Sequence, residues 1–391
     1  MRPLLVVGFA EALSAPEVVF SLMADGFRVR LFTRRGKPSR LARVTGCELV
    51  GITPPEHDAD AARRDVLAAC HDADGLFALD DVSLCLLSAL AEQTGSAVHI
   101  HATGPQAQVA LDKGRQINAA RDAGLAVPDG AVLTSAAELA DDIRLPAIAK
   151  PLLAVREAGG KIVKDDVHYL MTPADAGRFR TAVHLPGPTV VQPLIHGTGE
   201  GIFGLATGDG VVGWSGHRRL RMMNPHGSGS SACEQLAPEP DLRSRVQAMM
   251  TALNWRGPFM VELLRDAQGT AWFMELNGRV WGSMALARRN GFDYPAWAAQ
   301  LAMDPAFRPQ RGPQRRHSVR HLGRDLLHLL FLVRGPKTEF HRENWPGFFR
   351  SLSGVIRPGW PGGFYNFDRS HPFFFIGDAW DTVLAALRRP K

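Results

Sequence analysis

The sequence predicts an α/β protein, and three observations predict it. Over roughly the first one hundred residues, apolar runs of strand length alternate with helix-like stretches, the pattern of an open parallel sheet. Beyond Thr103 this alternation gives way to short apolar strands joined by Gly-containing turns. Further on, FMVELLRDAQGTAWFMEL reads as a β-hairpin whose turn is Asp266-Ala267-Gln268-Gly269. A chain of 391 residues exceeds one ordinary core, so two or three domains are expected.

PLLVVGF (3–9) is a buried-strand run, APEVVFSLMADG (15–26) a helix closed by Gly26, and FRVRLFT (27–33) a second strand. GLFALD (75–80) and AVHIH (97–101) are further strands, separated by the helical SLCLLSALAEQTG. No GxGxxG follows the first strand and no GxxxxGK[ST] occurs anywhere, so neither a dinucleotide fingerprint nor a P-loop is present. ALDKGRQINAARDAGLAVPDGAVL (110–133) reads as a helix closed by Gly124, a Val-Pro turn and a strand. LPAIAKPLL (145–153) is a short apolar strand carrying Lys150, and VREAGGKIVK (155–164) has a Gly-Gly turn suited to a mobile hairpin. A lysine inside a core strand either meets an anion or packs its stem while its head reaches water. TVVQPLIHGTGEGIFGLAT (189–207) gives two strands around a polar connection, and VVGWSGHRRLRMM (211–223) one more with a basic end. NPHGSGSSACEQ (224–235) reads as a Gly/Ser-rich loop.

Composition narrows the function classes. Hydrophobic residues make up 45% and charged residues 21%, as in soluble globular proteins. No apolar run is long enough to span a bilayer, and Glu11 interrupts any signal-like start, so a cytoplasmic location is expected. Cys47, Cys70, Cys85 and Cys233 are scattered without a CxxC, which suggests neither a zinc site nor a disulfide framework. The formal charge of +6 favours anionic partners, nucleotide phosphate among them. The basic residues fall in three separated groups, at 34–43, 217–221 and 308–324, without a nucleic-acid-binding signature, so no nucleic acid partner is expected.

The chemistry concentrates at the hairpin. In WFMELNGRVWGS, Glu275, Asn277 and Arg279 are spaced two apart and share one face of an extended chain. With the turn between Gln268 and Gly269, Glu262 lies opposite Glu275, and Leu264 opposite Phe273. Facing carboxylates repel across a ladder. A hard divalent cation held by carboxylate and amide oxygens resolves the conflict, with Asn277 supplying the amide. The alternative is a solvated hairpin face, which leaves Asn277 and Arg279 without explanation.

These segments, in this order, resemble the ATP-grasp superfamily over about residues 1 to 305. That family includes biotin carboxylase, D-alanine–D-alanine ligase and carbamoyl-phosphate synthetase. The resemblance implies a Rossmann-like pre-ATP-grasp domain (1–104), then a two-lobed α+β ATP-grasp fold with a small lobe (105–190) and a large lobe bearing the Mg-ATP site (191–306). An aromatic and basic C-terminal extension (307–391) lies outside it. The resemblance implies Glu262, Glu275 and Asn277 as ligands of two Mg²⁺ ions, with Mn²⁺ an alternative, and Arg279 as the catalytic arginine. Many members have proline at Gly278, where glycine should loosen the turn. Lys113 and Lys150 resemble the two lysines that hold the ATP phosphates. VVQPLI resembles the adenine hinge, with the Gln192 backbone carbonyl and the Ile195 N–H as adenine contacts and Glu200 as the ribose-binding acid.

Such a site implies an ADP-forming ligase that joins a carboxylate to an amine through an acyl phosphate, on an amino acid or small peptide. A phosphotransferase, or a nucleotide-binding protein without turnover, are the other readings. Among Arg218, Arg219 and Arg221, one or more should hold the substrate carboxylate or its phosphate, with Arg219 and Arg221 as the catalytic candidates. The helix at 325–335 has too few apolar residues to span a membrane. HRENWPGFFRSLSGVIRPGWPGGFYNFDRSHPFFFIGDAW is expected to pack back onto the core. The alternative is a surface for a membrane-proximal or polymeric acceptor. The other expected partners are small carboxylate and amine substrates and a second copy in a homodimer.

Overall fold

The computed structural model describes residues 2–356 and 363–388. It opens with β1 (Leu4–Gly8), α1 (Ala15–Ala24), β2 (Arg28–Arg34), β3 (Cys47–Ile52), α2 (Ala59–Ala69), β4 (Gly75–Ala78), α3 (Asp81–Ala89) and β5 (Val98–His99). The five strands form a parallel sheet in the order β3-β2-β1-β4-β5. All of β1 and β4 is buried, as parallel strands covered on both faces must be. β3 was not anticipated. Only Ile52 in it is buried, so this edge strand lacks the apolar run that marks its neighbours.

After α4 (Gly104–Leu111) and α5 (Lys113–Asp122) come β6 (Ala131–Leu133), β7 (Ala147–Pro151), β8 (Arg156–Ala158), β9 (Lys161–Val163), β10 (His168–Leu170), α6 (Pro173–Ala182) and β11 (Thr189–Pro193). β6, β7, β10 and β11 make a four-stranded antiparallel sheet ordered β10-β7-β11-β6. Ala147 and Ala149 of β7 pack with Leu133, Leu170, Phe179 and Val191 in the core beneath it. Period-2 alternation then turns Ile148 and Lys150 to the other face. β8 and β9 pair separately as a hairpin, turned by Gly159 and Gly160 at φ +56 and +71, where a side chain would be strained.

The rest of the chain supplies β12 (Thr198–Thr207), β13 (Gly210–Met222), β14 (Ser230–Gln235), α7 (Pro240–Ala252), β15 (Gly257–Arg265), β16 (Ala271–Asn277), α8 (Met284–Arg289), α9 (Tyr294–Met303) and β17 (Ser318–Arg320). It ends with α10 (Leu322–Arg334), α11 (Glu339–Glu343), α12 (Phe348–Ile356) and α13 (Phe374–Arg388). A six-stranded sheet has the order β16-β15-β12-β13-β14-β17. Half of the expected Gly/Ser loop is therefore strand: Ser230 to Cys233 are buried in β14, because pairing on both sides turns the small polar residues inward. The region after residue 307 packs back onto the molecule. β17 closes the edge of the large sheet, and the His196 ring stacks on Phe340 at 3.6 Å. Residues 357–362 of the aromatic stretch, with Trp360, lie outside the described residues.

Candidate active site

The β15–β16 hairpin places Glu262 opposite Glu275, the expected pair, although the ladder next to the turn runs one residue off and only a bulge restores it. The pairing further out differs. Leu263, not Leu264, faces Phe273, and a β-bulge lies between the two pairs. Two residues of β16 then oppose one of β15, which a uniform register cannot anticipate. Leu263 and Phe273 thereby enter one apolar core, while the acids stay on the other face.

Around these acids the structure brings together most of the residues expected from sequence. Asn277 is buried and its Nδ2 donates to Glu275 Oε1 at 3.2 Å. Arg219 of β13 reaches across β12 to form an ion pair with Glu262. It crosses at Gly199, where a Cβ would lie only 2.4 Å from the Arg219 side chain. Burial pushes the Glu262 carboxyl up, and the facing Glu275 adds to this, against the pull of Arg219 and Lys150. Burial lowers the Lys150 ammonium and the nearby Lys113 acts in the same direction, opposed by Glu275 and Glu262. Lys150 itself makes no ion pair among the described residues. Lys113 starts α5, and its backbone N–H donates to Leu152 O at 2.8 Å, tying it to the segment after β7. Two lysines that repel and two acids that repel thus share one cleft. A polyanion with divalent cations would relieve both.

Arg279 lies beyond Asn277, its Nε donating to Asp81 Oδ1 at 3.0 Å. Asp81 begins α3, and its other oxygen accepts from Lys164 Nζ at 3.0 Å. Burial alone would raise the Asp81 carboxyl, but the Arg279 and Lys164 charges hold it well below the usual carboxylate range. The sequence reading missed Asp81 and Lys164. The available signal was an Asp-Asp pair just past the carboxyl end of a parallel strand, where open α/β sheets place ligands.

The remaining candidates have other engagements. Gln192 is buried, with Nε2 donating to Pro128 O at 3.1 Å, so any role at the hinge falls to its backbone. Ile195 lies in the connection from β11 to β12, beside His196 on the C-terminal region. Glu200 is 2% exposed and paired with Arg265 at 2.9 Å and Arg218 at 3.3 Å. Arg221 forms a two-point pair with Asp325 of α10 at 2.9 and 3.1 Å and does not join Arg219 beside the acids. A bulge in β13 between Arg219 and Arg221 separates them. Gly278 has no room for a side chain. A Cβ there would come within 2.5 Å of Trp255 and 2.7 Å of Ala110, so the position is tight.

The donor set fits a hard divalent ion, since two facing carboxylates with an adjacent amide supply only oxygen ligands and the Glu262 carboxyl is strained upward without one. Among the described residues no group of three or more His, Cys, Asp or Glu forms a richer metal cluster. A separate cavity of about 650 Å³ is lined by Arg288, Arg289, Arg315, Arg316 and Arg369, with Trp297 and others. None of the candidate site residues lines it. No helix among the described residues is long and apolar enough to cross a membrane.

Neither a protein-family model nor a curated protein matches the chain. Solved structures do. An L-amino acid ligase from Bacillus licheniformis aligns at 17% identity and TM-score 0.61, covering 80% of this chain and 78% of its own. The biotin carboxylase–β-γ-ATP complex from Campylobacter jejuni aligns at 16% and 0.62, covering 81% and 74%. A carboxyaminoimidazole ribonucleotide synthase from Aspergillus clavatus complexed with ATP aligns at 12% and 0.63, covering 82% of each chain. With the sheet orders and the facing acids in place, this likeness along most of the chain identifies its architecture as the ATP-grasp fold.

Proposed function

We propose that this protein is an ADP-forming ligase that joins a carboxylate to an amine, with an amino acid or small peptide among its substrates. The observation that carries this reading is the convergence of Glu262, Glu275 and Asn277 with Lys113, Lys150, Arg219 and Arg279 on one cleft. Similarity to an L-amino acid ligase supports the substrate class. Glu262, Glu275 and Asn277 would hold Mg²⁺, which neutralises charge on phosphate oxygens when bound. Lys113 and Lys150 would neutralise the outer phosphates of ATP, and the backbone around Gln192 and Ile195 would meet the adenine.

A substrate carboxylate oxygen attacks the γ-phosphorus and ADP leaves, giving an acyl phosphate. The amine then attacks the acyl carbon, gives up a proton, and phosphate departs as the amide forms. Arg279 is oriented by Asp81 and stays fully cationic, because Asp81 and Glu275 raise it against the effect of burial. It would stabilise the transferring oxygens. Arg219 would do the same from the Glu262 side. No protein nucleophile is needed. Cys233 is buried with its thiol pushed up to about 12, which suits packing rather than attack.

The test supplies Mg-ATP with the twenty L-amino acids and follows ADP release, with mass analysis of products and hydroxylamine as a trap. The expected result is ADP and phosphate in equal amounts, a new amide, and a hydroxamate when the amine is withheld. A stable phosphorylated alcohol without hydroxamate would replace this reading with phosphotransfer. AMP with pyrophosphate, or tight nucleotide binding with no ADP release, would overturn it.

A further inference from the structure

The face of the large sheet that carries Glu262 continues past Arg219 onto β14, and several polar atoms there lack a partner. Arg219 lies opposite Cys233, and Ser231, two residues earlier in β14, shares that face. Three buried polar atoms here have no hydrogen-bond partner: Arg219 Nε, Ser231 Oγ and His217 Nε2. Buried donors of this kind are normally satisfied. His217 Nδ1 is engaged with Ser283 Oγ at 2.7 Å, and burial lowers its ring to about 3, with Arg219 adding to the shift, so it is neutral near pH 7.

Arg324 enters from α10. Its Nη1 donates to Ser230 O at 2.9 Å and would lie 3.1 Å from a Cβ on Gly229, so the guanidinium sits over the start of β14. It makes no ion pair among the described residues. Burial lowers it; Tyr365 and then Asp378 act against this, and Arg219 adds a smaller lowering. A half-buried guanidinium without a direct ion pair is poorly compensated. Its position is nonetheless fixed on every side. The next residue, Asp325, is fully buried and clamps Arg221 of β13, and Gly323 packs so closely on Ala379 of α13 that a Cβ would meet its backbone at 2.6 Å. The C-terminal region thus holds a positive group over β14 that no carboxylate among the described residues pairs directly, Asp378 being engaged with His321 and Asn366.

We propose that Arg324, with Arg219 and Ser231, binds a substrate carboxylate that is not activated in the reaction, so that the C-terminal region completes the substrate site. This rests on the ligase reading. The ligand class is a free amino acid or short peptide, anchored by its carboxylate as the amine acceptor. A dicarboxylic donor, anchored by its second carboxylate, presents the same chemistry. The planar fork of arginine suits a two-point bond to such a group.

The test compares the full chain with Arg324→Gln and Arg324→Lys, after thermal unfolding has confirmed that each is folded. Saturation-transfer NMR with the twenty L-amino acids and Mg-ADP reads binding without turnover. Signals from the bound amino acid should weaken about tenfold or more in affinity for Arg324→Gln, with partial recovery in Arg324→Lys. The corresponding amino acid amides should bind all three proteins equally. Absence of amino acid binding to the unaltered protein, or equal binding by Arg324→Gln, overturns the assignment. Turnover separates the two sources. If Arg324 holds the acceptor, hydroxamate formation is unchanged in Arg324→Gln while amide formation shows a raised KM. If it holds a diacid donor, both fall. Amino acid binding that depends on Arg324 without any ADP release would remove the ligase reading and leave the carboxylate site standing.

Discussion

Two hairpins of the large sheet carry charges two residues apart, and they use them differently. In the β15–β16 hairpin the spacing does what an extended strand predicts: Glu262, Glu275 and Asn277 meet on one face. In β13 the three arginines go to three separate partners, Arg218 to Glu200, Arg219 to Glu262 and Arg221 to Asp325. The bulge in the first hairpin lies between the turn and the acids and brings Glu275 opposite Glu262, whereas the bulges in β13 fall among the arginines themselves and send them apart. A one-residue irregularity re-aims every side chain beyond it. Convergence therefore depends on where the ladder is interrupted.

The comparison can be tested most severely at its structural end. Replacing Asp325 by Ala leaves the Arg221 guanidinium buried without its partner, and stability should fall by about 3–5 kcal/mol in chemical denaturation. A loss below ~1 kcal/mol would place the pair among ordinary surface bridges and return Arg221 to the list of site candidates.

At the other hairpin, Glu275→Gln should leave the fold intact while lowering Mg²⁺-dependent ADP release by about 10²–10³-fold. Stability should hold or rise slightly, since the substitution also removes a facing like charge. Full turnover at saturating Mg²⁺ would show that the facing acids do not hold the metal.

Lys150→Ala should weaken ATP binding about 10- to 100-fold, the loss of charge-assisted contacts to phosphate, and leave AMP binding nearly unchanged. Equal losses for both nucleotides in calorimetry would make Lys150 a structural residue.

The last effect is absent near pH 7 and appears only in the acid limb of stability. His217 has its folded-state pKa lowered to about 3, against about 6.5 when unfolded. Between these values the unfolded chain binds the extra proton, so His217 contributes a loss of stability as pH falls from about 6.5 towards 3. Urea unfolding of His217→Gln across that window should show a shallower decline than the parent. An identical slope would mean that the ring protonates without opposition in the folded state.

Much of the fold is legible in single elements. β1 and β4 are read from unbroken apolar runs, α5 from its closing Gly124 at φ +77, and the β8–β9 hairpin from its two glycines. β3 escapes because an edge strand with one buried residue carries no apolar period. β14 escapes because Ser and Gly are read as flexible until neighbouring strands bury them. At the site, Lys150 stands out as a cation in an apolar strand. Asp81, Lys164 and Arg324 do not, being ordinary surface residue types in segments distant from the hairpin.

What the sequence by itself determined is local. Alternation along β16 aligns Glu275 with Asn277, the turn at Asp266–Gly269 folds β16 back on β15, and the period of β7 turns Lys150 away from the core, whereas the bulge that sets Glu275 against Glu262 has no local signal. The first three follow from backbone geometry within a few residues, where side-chain direction is fixed by position. Only the tertiary structure decided that Asp81 orients Arg279, that Asp325 withdraws Arg221, and that Arg324 reaches over the start of β14. Those groups come from elements far apart in the chain. Their meeting depends on how sheets and helices pack, and on bulges that no repeating pattern marks.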